Sequence, residues 1–260
     1  MDPLLDFTDK VAVITGAASG FGKLLARELG VRGARVVIGD INAAELDKVA
    51  ADLEAQGISA AARCCDVSSE EDCRALVDTA VQLYGRLDLA INNAGIAHGF
   101  VPIHELTGEL LDQQINVNVK GVMYGMKYQI AAMKNNGGGA IVNTSSMAGL
   151  GAAPKIGAYA AAKHAVIGLT RTAAVEYGRK NIRVNAVCPY YTLTPMLEGN
   201  NGLAADDNAA QTLAMMAAGS PMKRVGQPEE IVAVMMMLLS PANTYMNGQA
   251  IAVDGGVSAF

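Results

Sequence analysis

The stretch Val11-Ala12-Val13-Ile14-Thr15-Gly16-Ala17-Ala18-Ser19-Gly20-Phe21-Gly22 decides the fold. Five residues rich in β-branched side chains read as a strand. A turn with three glycines follows, then a helical pattern over Phe21–Val31. Glycines let a backbone turn tightly and approach a pyrophosphate, and a helix N-terminus offers unpaired N–H groups and the positive end of a dipole. The spacing is G-x-x-x-G-x-G, wider than the common G-x-G-x-x-G fingerprint. Taken alone, it also fits an ordinary strand–helix connection.

Working outward, the same alternation recurs. Val36–Ile38, Ala60–Cys65, Leu87–Ile91, Ala140–Asn143, Ile182–Val187 and Ala250–Val253 read as six further strands. They are nearly continuous apolar runs, as a parallel sheet covered on both faces requires. Helical patterns over Ala43–Gln56, Glu70–Tyr84, Leu110–Met133, Ala158–Tyr177 and Pro228–Leu239 separate them. A capping box, Ser68 to Glu71, marks the start of the second of these. The expected fold is α/β: a doubly wound, seven-stranded parallel sheet with helices on both faces. No repeat or linker divides the chain, so residues 1–260 read as a single domain. The irregular stretch Cys188–Gln227 is long enough for a functional loop, and residues 189–227 are expected to form a substrate-binding lid.

Composition narrows the function classes. The chain has 260 residues, 51% hydrophobic and 17% charged, with a net charge of −5. Disorder is excluded, and the acidic balance argues against a nucleic-acid partner. The acidic start and the nine-residue apolar run Ile231–Leu239 fit neither a signal peptide nor a membrane span, so the cytoplasm is expected. Four cysteines without C-x-x-C read as small, buried or half-buried thiols. Three histidines without H-E-x-x-H give no metal site.

Asp40 closes the second strand, 20 residues after Gly20. A carboxylate there can bind both ribose hydroxyls of an adenosine and repel the extra phosphate of NADP. No Arg or Lys stands in Ala17–Phe21 or at Ile41-Asn42, so NAD is the expected cofactor. Asp40 as a mere cap for the helix at Asn42 is the competing reading. Asp66-Val67 ends the third strand and can cradle the adenine or, again, only cap a helix. Asn92-Asn93-Ala94-Gly95 closes the fourth beside the same crevice.

Tyr159-Ala160-Ala161-Ala162-Lys163 places a phenol and an ammonium on one helix face. A free phenol titrates near 10. A cation about 5 Å away, at an effective dielectric near 20, is worth roughly 3 kcal/mol, or about two pKa units. The pair can therefore approach the range for general acid–base work. Ser146, 13 residues earlier at a strand end, can hydrogen-bond a carbonyl oxygen as it gains charge. Asn118 either bonds locally or orients a water in a proton relay.

With Thr15–Gly22, Asn92–Gly95, Ser146, Tyr159 and Lys163 in this order, the chain resembles the short-chain dehydrogenase/reductase family over nearly its whole length. The resemblance implies a Rossmann-like fold and a homotetramer paired through Leu110–Met133 and Ala158–Tyr177. It implies Tyr159 as the acid/base, Lys163 lowering its pKa and holding the nicotinamide ribose, and Ser146, rather than Ser145, orienting the substrate oxygen. It also implies Asn118 supporting a water chain. The cofactor set comprises Gly16, Ser19, Gly20, Phe21, Gly22, Asp40, Ile41, Asp66, Val67, Asn92, Ala94, Gly95, Tyr159, Lys163, Pro189, Thr192 and Thr194. The family usually has Gly after the sixth strand's Pro; here Pro189 precedes Tyr190 and Tyr191, which puts a side chain where the backbone is expected to need freedom.

The expected activity is NAD-dependent hydride transfer between nicotinamide and a secondary alcohol or ketone. The expected substrate pocket is Ser146, Met147, His98, Tyr190, Tyr191 and Met196, an apolar set suited to a modest cyclic or aliphatic substrate. His98 reads equally as a structural loop residue, and the methionines as core gap-fillers. The rivals are a 3-oxoacyl-thioester reductase and a non-catalytic nucleotide-binding regulatory protein.

Overall fold

The computed structural model describes residues 3–198 and 209–259. In chain order the strands are β1 (Val11–Thr15), β2 (Arg35–Asp40), β3 (Ala60–Cys64), β4 (Leu89–Asn92), β5 (Gly139–Thr144), β6 (Ile182–Pro189) and β7 (Ala250–Val253). The α-helices are α1 (Gly20–Gly30), α2 (Ala43–Ala55), α3 (Glu70–Tyr84), α4 (Gly108–Gln114), α5 (Gly121–Lys134), α6 (Gly157–Tyr177), α7 (Pro195–Glu198), α8 (Ala209–Gly219) and α9 (Pro228–Leu239).

All seven strands pair in parallel, in the order β3-β2-β1-β4-β5-β6-β7. Alternate strand residues feed two cores. Ala12, Ile14, Val36 and Ile38 pack with side chains of α1, α2 and α9. Val11, Val13, Val37 and Ile141 pack with α3, α5 and α6. Both faces are thus covered, which is why the central strands read as unbroken apolar runs. Each large aliphatic side chain fully buried there contributes about 1.5–3 kcal/mol. The edge strands β3 and β7 are only half-buried or more open, and Cys64 on β3 is exposed, against the expectation for its thiol. Cys65, Cys73 and Cys188 are buried free thiols.

The strand order reverses between β1 and β4, which opens a crevice at the carboxyl ends of those strands. Three readings of the sequence need correction. The pattern Leu110–Met133 is not one helix: α4 and α5 are joined by a π-helical segment, Ile115–Lys120, whose wider turn leaves no mark in a 3.6-residue periodicity. The cap of α3 is Ser69, whose hydroxyl accepts from Asp72 N–H, and not Ser68, which bonds Asp66 instead. The stretch Cys188–Gln227 is not irregular throughout, since α7 and α8 lie within it. The middle of the expected lid, residues 199–208, lies outside the described residues. Among the described residues, no helix is long and apolar enough to cross a membrane.

Candidate active site

The crevice is a cavity of about 1340 Å³. At one end the glycine turn enters α1. Gly16 has φ +66°, and a Cβ there would press on the Ala94 backbone; a Cβ on Gly22 would overlap the Gly16 carbonyl. Strand, turn and helix therefore fit together only without side chains at these two positions. Ser19 is the N-cap of α1, yet its side chain caps nothing, and the first turn carries no acid. By contrast α2, α3 and α4 are closed by Asn42, Ser69 and Thr107. The start of α1 is thus left without a side-chain partner for its N–H groups, beside the cavity lined by Gly16, Ser19, Gly20 and Phe21. This geometry fits a pyrophosphate.

Asp40 and Ile41 line the cavity beside this turn. The Asp40 carboxylate accepts from Ala18 N–H and Asn42 N–H, both at 3.0 Å. It ties the glycine turn to the start of α2, while Asn42 itself caps that helix. Asp66 and Val67 also line the cavity, and Asp66 accepts from Ser68 at the turn before α3. Ala94, Gly95, Pro189, Thr192 and Thr194 form more of the wall. The hydroxyl of Thr192 is turned to the Tyr190 carbonyl, at 2.9 Å.

Asn92 corrects the expectation for the fourth strand. Its amide is buried, trading hydrogen bonds with Gln129 and donating to Asn143, so it stitches β4 to β5 and α5 and does not face the crevice. Side chains alternate across a strand, so the next residue takes the crevice side. Asn93 lines the cavity, and its Nδ2 donates to the carbonyls of Thr15 and Gly16, at 3.1 Å each. Thr15 Oγ1 in turn accepts from the N–H groups of Asn93 and Ala94. Strand parity separates the two side chains but does not say which of them faces the crevice.

At the other end of the cavity stand Ser146, Met147, Tyr159 and Lys163. Ser146 stands beside the Tyr159 phenol and favours its ionised form. Ser145, the adjacent candidate, is spent: its hydroxyl is buried and donates to the Lys163 carbonyl at 2.9 Å. Lys163 Nζ lies 5.4 Å from the centre of the Tyr159 ring and donates to the Thr144 carbonyl at 2.8 Å. Burial governs both groups. Loss of water pushes the Tyr159 phenol up from its ordinary value, with Ser146 opposing, and pulls Lys163 down to about 8. In the protein alone burial dominates, so the phenol stands above its ordinary value and not below it, as the i, i+4 spacing had suggested.

Asn118 is fully buried on the π-helical segment, outside the cavity lining. Its amide donates to the Ile96 carbonyl at 2.9 Å and to Gln114, and its oxygen accepts from Ile96 N–H at 3.0 Å. The side chain bonds locally and fixes the loop after β4. Tyr190, Tyr191 and Met196 line the substrate end with Met216, a wall residue of α8 that the sequence did not single out. The two tyrosine rings meet edge to face, centroids 4.7 Å apart. Tyr190 needs no glycine conformation: among the described residues only Asp9, Lys155, Asn181 and Lys223 combine a side chain with positive φ, and Tyr190 N–H donates to the Val253 carbonyl. His98 also lines the cavity, but both ring nitrogens are engaged by backbone. Among the described residues, no three His, Cys, Asp or Glu side chains are grouped to hold a metal ion.

Residues 16–258 match the family described as Enoyl-(Acyl carrier protein) reductase. The chain is 42% identical over 253 residues to cyclohexanol dehydrogenase of Acinetobacter sp. (strain SE19), covering 97% of this chain and 96% of that protein. The crystal structure of levodione reductase superposes with a TM-score of 0.93 at 37% identity, covering 97% and 99% of the two chains. The 3-ketoacyl-(acyl-carrier-protein) reductase from Brucella melitensis, solved with NADH, superposes at 0.88 with 32% identity, covering 97% and 100%. An uncapped glycine turn at one end of the cavity and a Ser-Tyr-Lys cluster at the other, matched along the whole chain by such relatives, make this protein an oxidoreductase of the short-chain dehydrogenase/reductase family.

Proposed function

We propose that this protein is an NAD-dependent dehydrogenase that interconverts a carbocyclic secondary alcohol and its ketone. The observation that carries the reading is the placement of Ser146, Tyr159 and Lys163 on one cavity with Asp40 and the bare start of α1. When bound, the nicotinamide accepts or returns the hydride. Tyr159 Oη takes the hydroxyl proton during oxidation and returns it during reduction. Ser146 Oγ holds the substrate oxygen. Lys163, one N–H on Thr144, has its remaining N–H groups for the nicotinamide ribose, and its charge favours the phenolate. Asn118 keeps the loop after β4 in place beside this set.

Met147, Met196, Met216, Tyr190 and Tyr191 give the substrate end an apolar lining that suits a ring carrying few charges, and the relative that acts on cyclohexanol supports the same class. Asp40 supports NAD over NADP, because its carboxylate occupies the ribose end of the cavity. The reading further takes residues 1–260 as one catalytic domain, cytoplasmic and homotetrameric. Exposed Met123 on α5 and Val175 on α6 support pairing through those helices.

The test is a spectrophotometric screen of NAD and NADP reduction with cyclic alcohols, diols, steroids and hydroxyacyl thioesters. Preferred turnover of cyclic alcohols with NAD is expected. Turnover confined to hydroxyacyl thioesters would establish instead the acyl-thioester reading, which the matched family description and the Brucella neighbour favour. Full alcohol oxidation by Tyr159→Phe would refute the mechanism. No turnover at all, with NAD still bound, would point to the non-catalytic regulatory reading.

A further inference from the structure

We infer that His98 is a positioning residue for Tyr159, capping the catalytic helix from outside it; this rests on the reading of Tyr159 as the acid/base. Helix α6 begins after Ile156, which has no side-chain group to offer its N–H groups. A helix start needs such partners. The imidazole of His98 supplies one: Tyr159 N–H donates to His98 Nε2 at 3.3 Å. An amide nitrogen can only donate, so Nε2 is the bare nitrogen and Nδ1 carries the hydrogen. Nδ1 stands 2.7 Å from the Gly99 carbonyl and donates to it. Both nitrogens are thus committed, and the residue is only 9% exposed. It has no N–H left for a substrate, although it forms part of the cavity wall.

The loop that carries His98 is itself held at both ends. Asn118 grips both backbone groups of Ile96. Val101 N–H donates to the Lys155 carbonyl at 2.7 Å, and Val101 bridges to Ile156. His98 therefore connects a braced loop to the backbone of the one residue whose side chain moves the proton. A misplacement of about 1 Å at such a group can cost on the order of 100-fold in rate.

The experiment compares the unmodified enzyme with His98→Ala and His98→Gln, whose amide oxygen can accept the same hydrogen bond. Amide hydrogen exchange is followed at Tyr159, ¹⁵N-histidine NMR reads the tautomer, and steady-state kinetics with NAD and the best alcohol of the screen give kcat and KM separately. His98 is expected as the Nδ1–H tautomer. His98→Ala should expose the Tyr159 amide to exchange and lower kcat by about 10- to 100-fold with KM for alcohol and NAD unchanged. His98→Gln should restore most of both losses. An unchanged kcat in His98→Ala, a raised alcohol KM at constant kcat, or an Nε2–H tautomer would overturn the inference. If the unmodified protein oxidises no alcohol, the proposed function fails, while the exchange and tautomer data still decide whether His98 caps α6.

Discussion

Two helices begin at the same cavity and treat their first N–H groups in opposite ways. At α1 the cap residue Ser19 makes no side-chain bond, and no acid stands in the first turn. At α6 a histidine from another loop reaches in to hold the Tyr159 amide. The difference follows from what each helix does. The start of α1 keeps donors unpaired for a ligand anion, at some cost in the free protein, whereas the start of α6 must place one hydroxyl and is therefore tied down. An unsatisfied helix end beside a cavity is thus a binding signal, and an unusually well-held one a positioning signal.

The comparison breaks hardest at Tyr159. Tyr159→Phe should leave both helix ends intact while lowering kcat by about 10²- to 10⁴-fold, measured as NADH appearance. Next comes closing the open end. Ser19→Asp would cap α1 from within and set a charge against the pyrophosphate, so NAD affinity, read by fluorescence titration, should fall by about tenfold or more while the melting temperature rises. Affinity unchanged by this substitution would show that the start of α1 is not the anion site. Asp40→Ala removes the carboxylate that ties Ala18 to Asn42, and should weaken NAD by about tenfold while relieving discrimination against NADP; initial rates with both cofactors check this.

The smallest effect concerns a third helix start, sealed by charge. Glu230 on α9 accepts from Gln227 N–H and from both arms of Arg224, and these bonds hold its carboxyl down to about 2 from an ordinary 4.5. A carboxyl lowered on folding stabilises above its ordinary value and loses that contribution as pH falls toward 2. The pair is solvent-exposed, so about 0.5–1 kcal/mol is at stake. Urea midpoints of Glu230→Gln should lie below those of the unmodified protein near neutral pH and converge with them at the acid end of that window.

How much was legible follows from range. Strands β1–β7, α1, α2, α3, α6 and α9 showed in the sequence because apolar runs and 3.6-residue patterns are local. The order of the site residues, from Gly16 through Ser146 to Lys163, was legible for the same reason: strand ends and one helical turn fix it. Ser146 over Ser145 came only from resemblance; the fold supplies the physical ground, since Ser145 is committed to the Lys163 carbonyl.

What the sequence by itself determined was the alternation of elements, the glycine turn with Asp40 behind it, and the i, i+4 pairing of Tyr159 with Lys163. Those depend on covalent geometry and spacing. Tertiary structure alone decided which of two neighbouring side chains faces the cavity, Asn93 and not Asn92. It decided that Tyr190 sits without strain where a glycine was expected, and that His98, 61 residues away in the chain, caps the helix of Tyr159. It also reversed the expected effect on the phenol. Coulomb attraction between Tyr159 and Lys163 can be guessed from their spacing, but the loss of water that raises the phenol and lowers the ammonium exists only once the cavity has closed around both.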